Sequence, residues 1–200
     1  GGLFVSYEGG DLWELAGNGT LKNKNIQTVQ FSAAHPDQLI ISTKNSVFRS
    51  NNDGGEWEKK WTELPNNISS VITLNTDPEF IFVGTKNGFY KSFNGGRNWI
   101  KDKNKNTKNI FSLAIDTKDN TGIFLTSTKG LFYSNNSGDT WLKITPHKKN
   151  LAKQGKLEIS QINKILSITA SNNQASLLLA GSETGLFISK NNGVLWSFVN

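Results

Sequence analysis

Ser50-Asn51-Asn52-Asp53-Gly54-Gly55-Glu56-Trp57 decides the fold, because the sequence contains it five times. It returns as Ser92-Phe93-Asn94-Gly95-Gly96-Arg97-Asn98-Trp99, as Ser134-Asn135-Asn136-Ser137-Gly138-Asp139-Thr140-Trp141 and as Ser189-Lys190-Asn191-Asn192-Gly193-Val194-Leu195-Trp196. The chain opens on a fifth copy, Ser6-Tyr7-Glu8-Gly9-Gly10-Asp11-Leu12-Trp13. Each copy, called the box below, reads Ser, one residue, Asn or Glu, one residue, Gly, two residues, Trp. The Trp residues stand 44, 42, 42 and 55 positions apart. A fixed period in the forties marks an array of like units.

Within each period the apolar runs are short. Gly88-Phe89-Tyr90-Lys91-Ser92 leads into one box, and Gly130-Leu131-Phe132-Tyr133-Ser134, Gly185-Leu186-Phe187-Ile188-Ser189 and Gly2-Leu3-Phe4-Val5-Ser6 lead into others. Upstream lie Phe80-Ile81-Phe82-Val83-Gly84-Thr85 and its counterparts at 39–43, 123–127 and 177–181, and before these come 71–74, 29–32, 113–115 and 165–168. The runs are β-branched or aromatic and bounded by Gly, Asn, Asp or Pro, which is how strands read. No long segment has a 3.6-residue apolar period. Each period therefore predicts four strands: A (71–74), B (80–85), C (88–92) and D, starting at Trp99. Four short antiparallel strands per repeat make a propeller blade. The expectation is an all-β propeller with four complete blades and a C–D half blade.

The box falls in the C–D turn. Its Ser and Asn side chains suit bonds to backbone groups inside the hairpin, its Gly supplies a conformation closed to residues with a Cβ, and its Trp is expected to plug the space between blades. These residues resemble the Asp-box, or bacterial neuraminidase repeat, of sialidases, sortilin-type domains, xyloglucanases and photosystem II assembly-factor propellers. The resemblance covers nearly the whole chain and implies the fold without an activity, because those families do unrelated things. Glu8, Asn52, Asn94, Asn136 and Asn191 stand where that motif has Asp. An Asn amide oxygen still accepts the hairpin bond, while a metal role for the boxes becomes less plausible.

Composition sets the outer bounds. Two hundred residues, 36% hydrophobic and 19% charged, can bury a proper core. Without cysteine there is no disulfide framework, thiolate metal site or cysteine nucleophile, and the redox compartment stays open. No apolar run approaches the ~18 residues of a membrane helix, and no signal peptide is visible. The chain begins at Gly1 and has no Met, which points to a processed, trimmed or excerpted chain. An exported location is favoured over a cytosolic one. The half blade takes 1–20 and the complete blades 25–63, 66–106, 108–146 and 162–200, within one propeller domain or part of a larger one. An insertion at 146–161 interrupts the regular spacing. Long insertions in regular arrays are often functional; the plain alternative is a solvated loop.

Strand alternation assigns each charge to a rim. The A–B and C–D turns share the box face, and the B–C turns and D–A links share the opposite face. The B–C turns carry Lys44, Lys86 and Lys129, with Glu183 breaking the series. The D strands and links carry Lys22, Lys24, Lys59, Lys60, Lys101, Lys103, Lys105, Lys108, Lys143, Lys148, Lys149, Lys153, Lys156 and Lys164. These seventeen lysines face six carboxylates, a balance of +11; the box face, with Arg49, Lys91, Arg97, Lys118 and Lys190 against ten carboxylates, stands at −5. Such a basic face draws anionic partners with strong salt dependence. Its plain alternative is solubility and edge protection. Nucleic acid fits poorly, because no stacking aromatics alternate with the lysines. Trp61, the large aromatic outside the repeat, reads first as a rim packing residue.

Catalytic constellations are sparse. The sialidase resemblance would require an arginine triad, and only Arg49 and Arg97 exist; Tyr90 and Tyr133 read as equivalent C-strand positions. A different glycosidase needs two carboxylates ~5 to ~9.5 Å apart, for which Asp102, Glu158 and Glu183 are candidates on the opposite face. His35 and His147 are isolated and make no zinc site. The expected function is a non-catalytic propeller, without cofactor or metal, that binds an anionic or acidic partner, a protein with an acidic surface or an anionic glycan. The expected binding residues are Lys44, Lys86, Lys129, Lys101, Lys103, Lys105, Lys148, Lys149, Lys153 and Lys156. Photosystem II assembly factors are the functional analogue by resemblance. The rival is a carbohydrate-active propeller, a glycoside hydrolase or a glycan binder.

Overall fold

The computed structural model describes residues 1–17, 19–32, 35–60, 67–74, 76–116, 119, 121–144, 165–170, 177–183 and 185–199. The 146–161 insertion, Trp61, Lys118, His147, Lys148, Lys149, Lys153, Lys156, Glu158 and Lys164 lie outside the described residues.

Short β-rich runs separated by turn residues give only strands among the described residues. β1 (Phe4–Val5) pairs β2 (Glu14–Leu15) in a two-stranded sheet. Four four-stranded sheets follow, each an antiparallel meander in chain order. The first holds β3 (Ile26–Phe31), β4 (Leu39–Thr43), β5 (Val47–Ser50) and β6 (Glu58–Lys59). The second holds β7 (Ile68–Thr73), β8 (Ile81–Thr85), β9 (Gly88–Ser92) and β10 (Ile100–Lys101). The third holds β11 (Ile110–Ile115), β12 (Ile123–Ser127), β13 (Gly130–Ser134) and β14 (Leu142–Ile144). The fourth holds β15 (Ile165–Ala170), β16 (Leu178–Ser182), β17 (Gly185–Ser189) and β18 (Ser197–Phe198). The half blade is blade 1, and the four full sheets are blades 2 to 5.

The A strands β3, β7 and β11 begin three residues earlier than the apolar runs suggest, whereas β15 begins at Ile165 as expected. Each carries a bulge near its start, at Ile26/Thr28, Ile68/Ser70, Ile110/Ser112 and Ile165/Ser167. A bulge breaks the two-residue alternation on which strand reading depends. The A strands also meet one another: β3 lies against β7, β7 against β11 and β11 against β15.

The core is divided between consecutive blades. Leu21 and Leu3 of the first repeat join Leu39, Ile41, Phe48 and Trp57 of blade 2. Ile40 and Val47 of blade 2 join Val71, Val83 and Trp99 of blade 3. Phe82 and Phe89 of blade 3 join Leu113, Leu125 and Trp141 of blade 4. Phe124 and Leu131 of blade 4 join Ala180, Phe187 and Trp196 of blade 5. Each of these four box tryptophans therefore packs against the preceding unit, and Phe89 meets Trp141 edge to face at 5.0 Å between ring centroids. Trp13 differs. It is 60% exposed, against 7% for Trp57 and 5% for Trp196, because no described sheet precedes blade 1. Among the described residues Trp13 therefore meets no preceding sheet.

The boxes repeat one hydrogen-bond set. The Ser50 hydroxyl accepts from Gly54 N at 3.0 Å and donates to Asn52 Oδ1, which accepts from Glu56 N at 2.9 Å. Ser92 with Asn94, Ser134 with Asn136 and Ser189 with Asn191 repeat this pattern. In the first copy the Ser6 hydroxyl still accepts from Gly10 N, but Glu8 takes no bond from Leu12. Gly54, Gly96, Gly138 and Gly193 have φ between 79° and 84°, where a Cβ is penalised; at Gly138 it would also lie 2.4 Å from Phe89. The Asp53, Gly95 and Ser137 amides donate to Asp37, Glu79 and Thr121 carbonyls in the A–B turns, which ties boxes and A–B turns to one rim.

One sequence equivalence fails. Tyr90 pairs with Val83 and Lys91 with Phe82, whereas Tyr133 pairs with Phe124. Tyr133 is therefore the counterpart of Lys91, one position beyond Tyr90.

Candidate basic rim

The B–C turns are held from below by hydroxyls at the end of each B strand. Thr85 Oγ1 accepts from Asn87 N and Gly88 N, and Ser127 Oγ accepts from Lys129 N. A backbone chain then links the turns: Asn67 N donates to Lys44 O, Lys86 N to Asn67 O, Asn109 N to Lys86 O and Thr128 N to Asn109 O, at 2.8 to 3.3 Å. Asn67 and Asn109 have φ of 83° and 50°, which Asn tolerates better than other residues with a Cβ. The repeated Asn-Ile at 25–26, 67–68 and 109–110 was the available sequence signal for this link.

The chain places Lys44 and Lys86 at the first position of their turns and Lys129 at the second; all three are exposed. Across from them run the D-strand lysines. Lys59 pairs with Phe48, Lys101 with Tyr90 and Lys143 with Phe132. Lys101 lays its Nζ 5.6 Å from the Tyr90 ring centroid, and its stem approaches Gly88 of the B–C turn. Blades 2, 3 and 4 thus each combine a turn lysine, a strand lysine and a C-strand aromatic. Blade 5 has Glu183 in the turn and Phe198 opposite Phe187. Lys59 and Lys143 are as regular as Lys101 yet absent from the expected binding set; the Trp-x-Lys spacing at Trp57, Trp99 and Trp141 would have found them.

Lys103 and Lys105 project from the link after β10. Asp102 fixes that link by accepting from Asn104 N at 3.0 Å and from the Thr107 hydroxyl at 2.8 Å. The Asp102 carboxylate is thus committed to its own loop. Lys60 does not join the rim: it packs under Gly96 of the next box and pairs with Glu58 at 2.5 Å. In blade 2 the rim carries a hollow open to solvent, lined by Lys24, Asn25, Thr43, Lys44, Asn45, Ser46, Phe48 and Lys59, with a volume of about 360 Å³.

The box rim spends its charges between blades. Arg49, one-tenth exposed or less, donates to Glu79 of blade 3 at 2.6 Å and to Asn51 and Gln38 of its own blade. Lys91 pairs with Asp139 of blade 4. At the corresponding position Tyr133 donates to Asp116 at 3.1 Å and, at a longer 3.4 Å, lies by Asp119. Burial, then the charge and hydrogen bond of Asp116, push the Tyr133 phenol well above the tyrosine range. Asp119 is held below the usual carboxylate value, chiefly by the Thr121 amide and then the Thr121 hydroxyl. This Tyr is a structural bond between strand C and the A–B turn. Among the described residues no group of three His, Asp or Glu could hold a metal ion, and no helix is long and apolar enough to cross a membrane.

No family model and no curated protein matches the sequence. Solved structures do match. An ancestral GH74 enzyme aligns with 88% of this chain and 24% of its own at TM-score 0.70 and 21% identity. The fold is a β-propeller. The GH74 xyloglucanase from Xanthomonas campestris aligns with 88% of this propeller chain and 30% of its own, at TM-score 0.64 and 18% identity. YCF48 bound to D1 peptide aligns with 88% of it and 55% of its own, at TM-score 0.61 and 12% identity. The propeller described here spans about a quarter to a third of the GH74 enzymes and about half of YCF48, and at these identities the likeness concerns fold.

Proposed function

We propose that this chain is part of a non-catalytic repeat propeller of Asp-box type that docks an acidic protein surface on its B–C rim. The carrying observation is the recurrence, in three consecutive blades, of a turn lysine and a D-strand lysine: Lys44 with Lys59, Lys86 with Lys101, and Lys129 with Lys143. Lys103 and Lys105 extend the row from a loop stiffened by Asp102. The turns that present these ammonium groups are joined by backbone bonds, so docking has to order the lysine side chains and not the turns that carry them. A fixed row of like charges steers an acidic partner and loses its pull as salt rises. YCF48, of the same fold, binds a peptide. Lys148, Lys149, Lys153 and Lys156 of the insertion are proposed to extend the docking surface.

The test is capture of an acidic polypeptide on immobilised protein at rising ionic strength. Capture should fall about tenfold or more between low and moderate salt, and the triple change Lys101→Glu, Lys103→Glu, Lys105→Glu should abolish it. Capture that ignores both salt and the triple change would sink the proposal. The GH74 likeness supports a second reading, a glycan-active propeller. It would be favoured by capture of a neutral oligosaccharide that persists at high salt.

A further inference from the structure

We propose that the hollow in blade 2 is a binding site for a tetrahedral oxyanion on a sugar-sized body, a phosphate or sulfate ester. It does not depend on the rim docking a protein. Three cations reach the hollow from separate segments: Lys24 ahead of β3, Lys44 in the β4–β5 turn and Lys59 on β6. Lys24 is held with its Nζ 5.5 Å from the Phe48 ring centroid. Among the described residues none of the three forms a salt bridge, whereas Arg49, Lys60 and Lys91 are each paired with a carboxylate. Among the described residues the hollow therefore collects three lysines without a carboxylate partner.

Lysines act as point charges that can be arranged around a compact tetrahedral oxyanion, a phosphate monoester near two negative charges or a sulfate ester with one. Size narrows the ligand further. About 360 Å³ is room for roughly a dozen waters, so bare phosphate or sulfate would leave most of the space to solvent. A monosaccharide ester would occupy more of it, with the anion among the ammonium groups and the Asn25 and Asn45 amides available as donors and acceptors for sugar hydroxyls.

The test titrates the chain at low salt with glucose 6-phosphate, glucose 6-sulfate, inorganic phosphate and glucose, following the Asn45 and Ser46 amide resonances. The better ester should bind at least about tenfold tighter than glucose, and tighter than inorganic phosphate; its identity names the ester class. Lys44→Ala and Lys59→Ala should each weaken it about tenfold, as expected when a charge-assisted bond is lost. Lys190→Ala on the box rim should leave it unchanged, with thermal midpoints reporting that each variant is folded. Equal binding of ester and glucose, equal binding of ester and inorganic phosphate, or equal effects of Lys44→Ala and Lys190→Ala would each overturn the assignment. Capture of acidic polypeptide, measured on the same variants, reports on the rim proposal separately: ester binding can fail while salt-sensitive capture persists, and the reverse.

Discussion

At the scale of single residues, four similar tryptophans have unequal surroundings. Trp57 Nε1 donates to Gly54 O at 2.9 Å, and Trp99 and Trp196 make the equivalent bond. The Trp141 Nε1–H is buried with no partner among the described residues. A lost bond of this kind costs about 0.5–1.5 kcal/mol, and an unsatisfied buried donor about 1–3 kcal/mol. Trp141→Phe should therefore destabilise less than Trp57→Phe, by about 1 kcal/mol or more, in urea unfolding. Equal losses would mean that the Trp141 nitrogen is satisfied in solution. The Ser–Asn–Gly turn was legible from sequence because its bonds close within one octapeptide. The inequality of the tryptophans was not, because it depends on how each ring meets another blade.

At the scale of elements, the sequence located strands by apolar runs and lost them where alternation breaks. The bulge near the start of β7 hid Ile68 to Ser70 from that reading. Counting back from the box Ser separates Tyr133 from Tyr90 by one position, and one position reverses the face a side chain meets. Tyr133 couples β13 to the β11–β12 turn, and that coupling has a pH signature. Its folded-state pKa is raised, so its contribution is complete below the ordinary tyrosine value of about 10 and is lost as pH rises above it. The Asp119 value is lowered, so its contribution is present above about pH 4 and fades as pH falls further. Stability should decline beyond about pH 10, and Tyr133→Phe should flatten that alkaline limb while leaving the acid limb in place. An alkaline limb identical in the two proteins would remove the role given to this hydroxyl.

At the scale of the molecule, charge was legible only in part. The rim of a lysine follows from strand direction, so Lys44, Lys86 and Lys101 could be placed by counting. The pairings of Arg49 with Glu79 and Lys91 with Asp139 could not, since each joins residues of different blades. On the box rim these cations serve cohesion between blades. Exchanging its free charges should accordingly leave acidic-polypeptide capture within about twofold, the scale of an exposed, screened charge; Arg97→Glu with Lys190→Glu tests this. A loss as large as that of the Lys101, Lys103, Lys105 triple would show that docking is not confined to one rim.

The tryptophan arrangement also gives the array a direction. Like roof tiles, each unit overlaps the one before it, with Trp57 lapped onto Gly17 and Leu21 and Trp196 onto Leu131 and Ile144. Peeling from the leading edge would uncover indoles one at a time, and peeling from the trailing edge would uncover aliphatic sockets. Whichever unit detaches, the indole at that seam leaves its socket, so emission should redden with each unit lost, Trp57 reporting separation of the first repeat from blade 2 and Trp196 separation of blade 5 from blade 4.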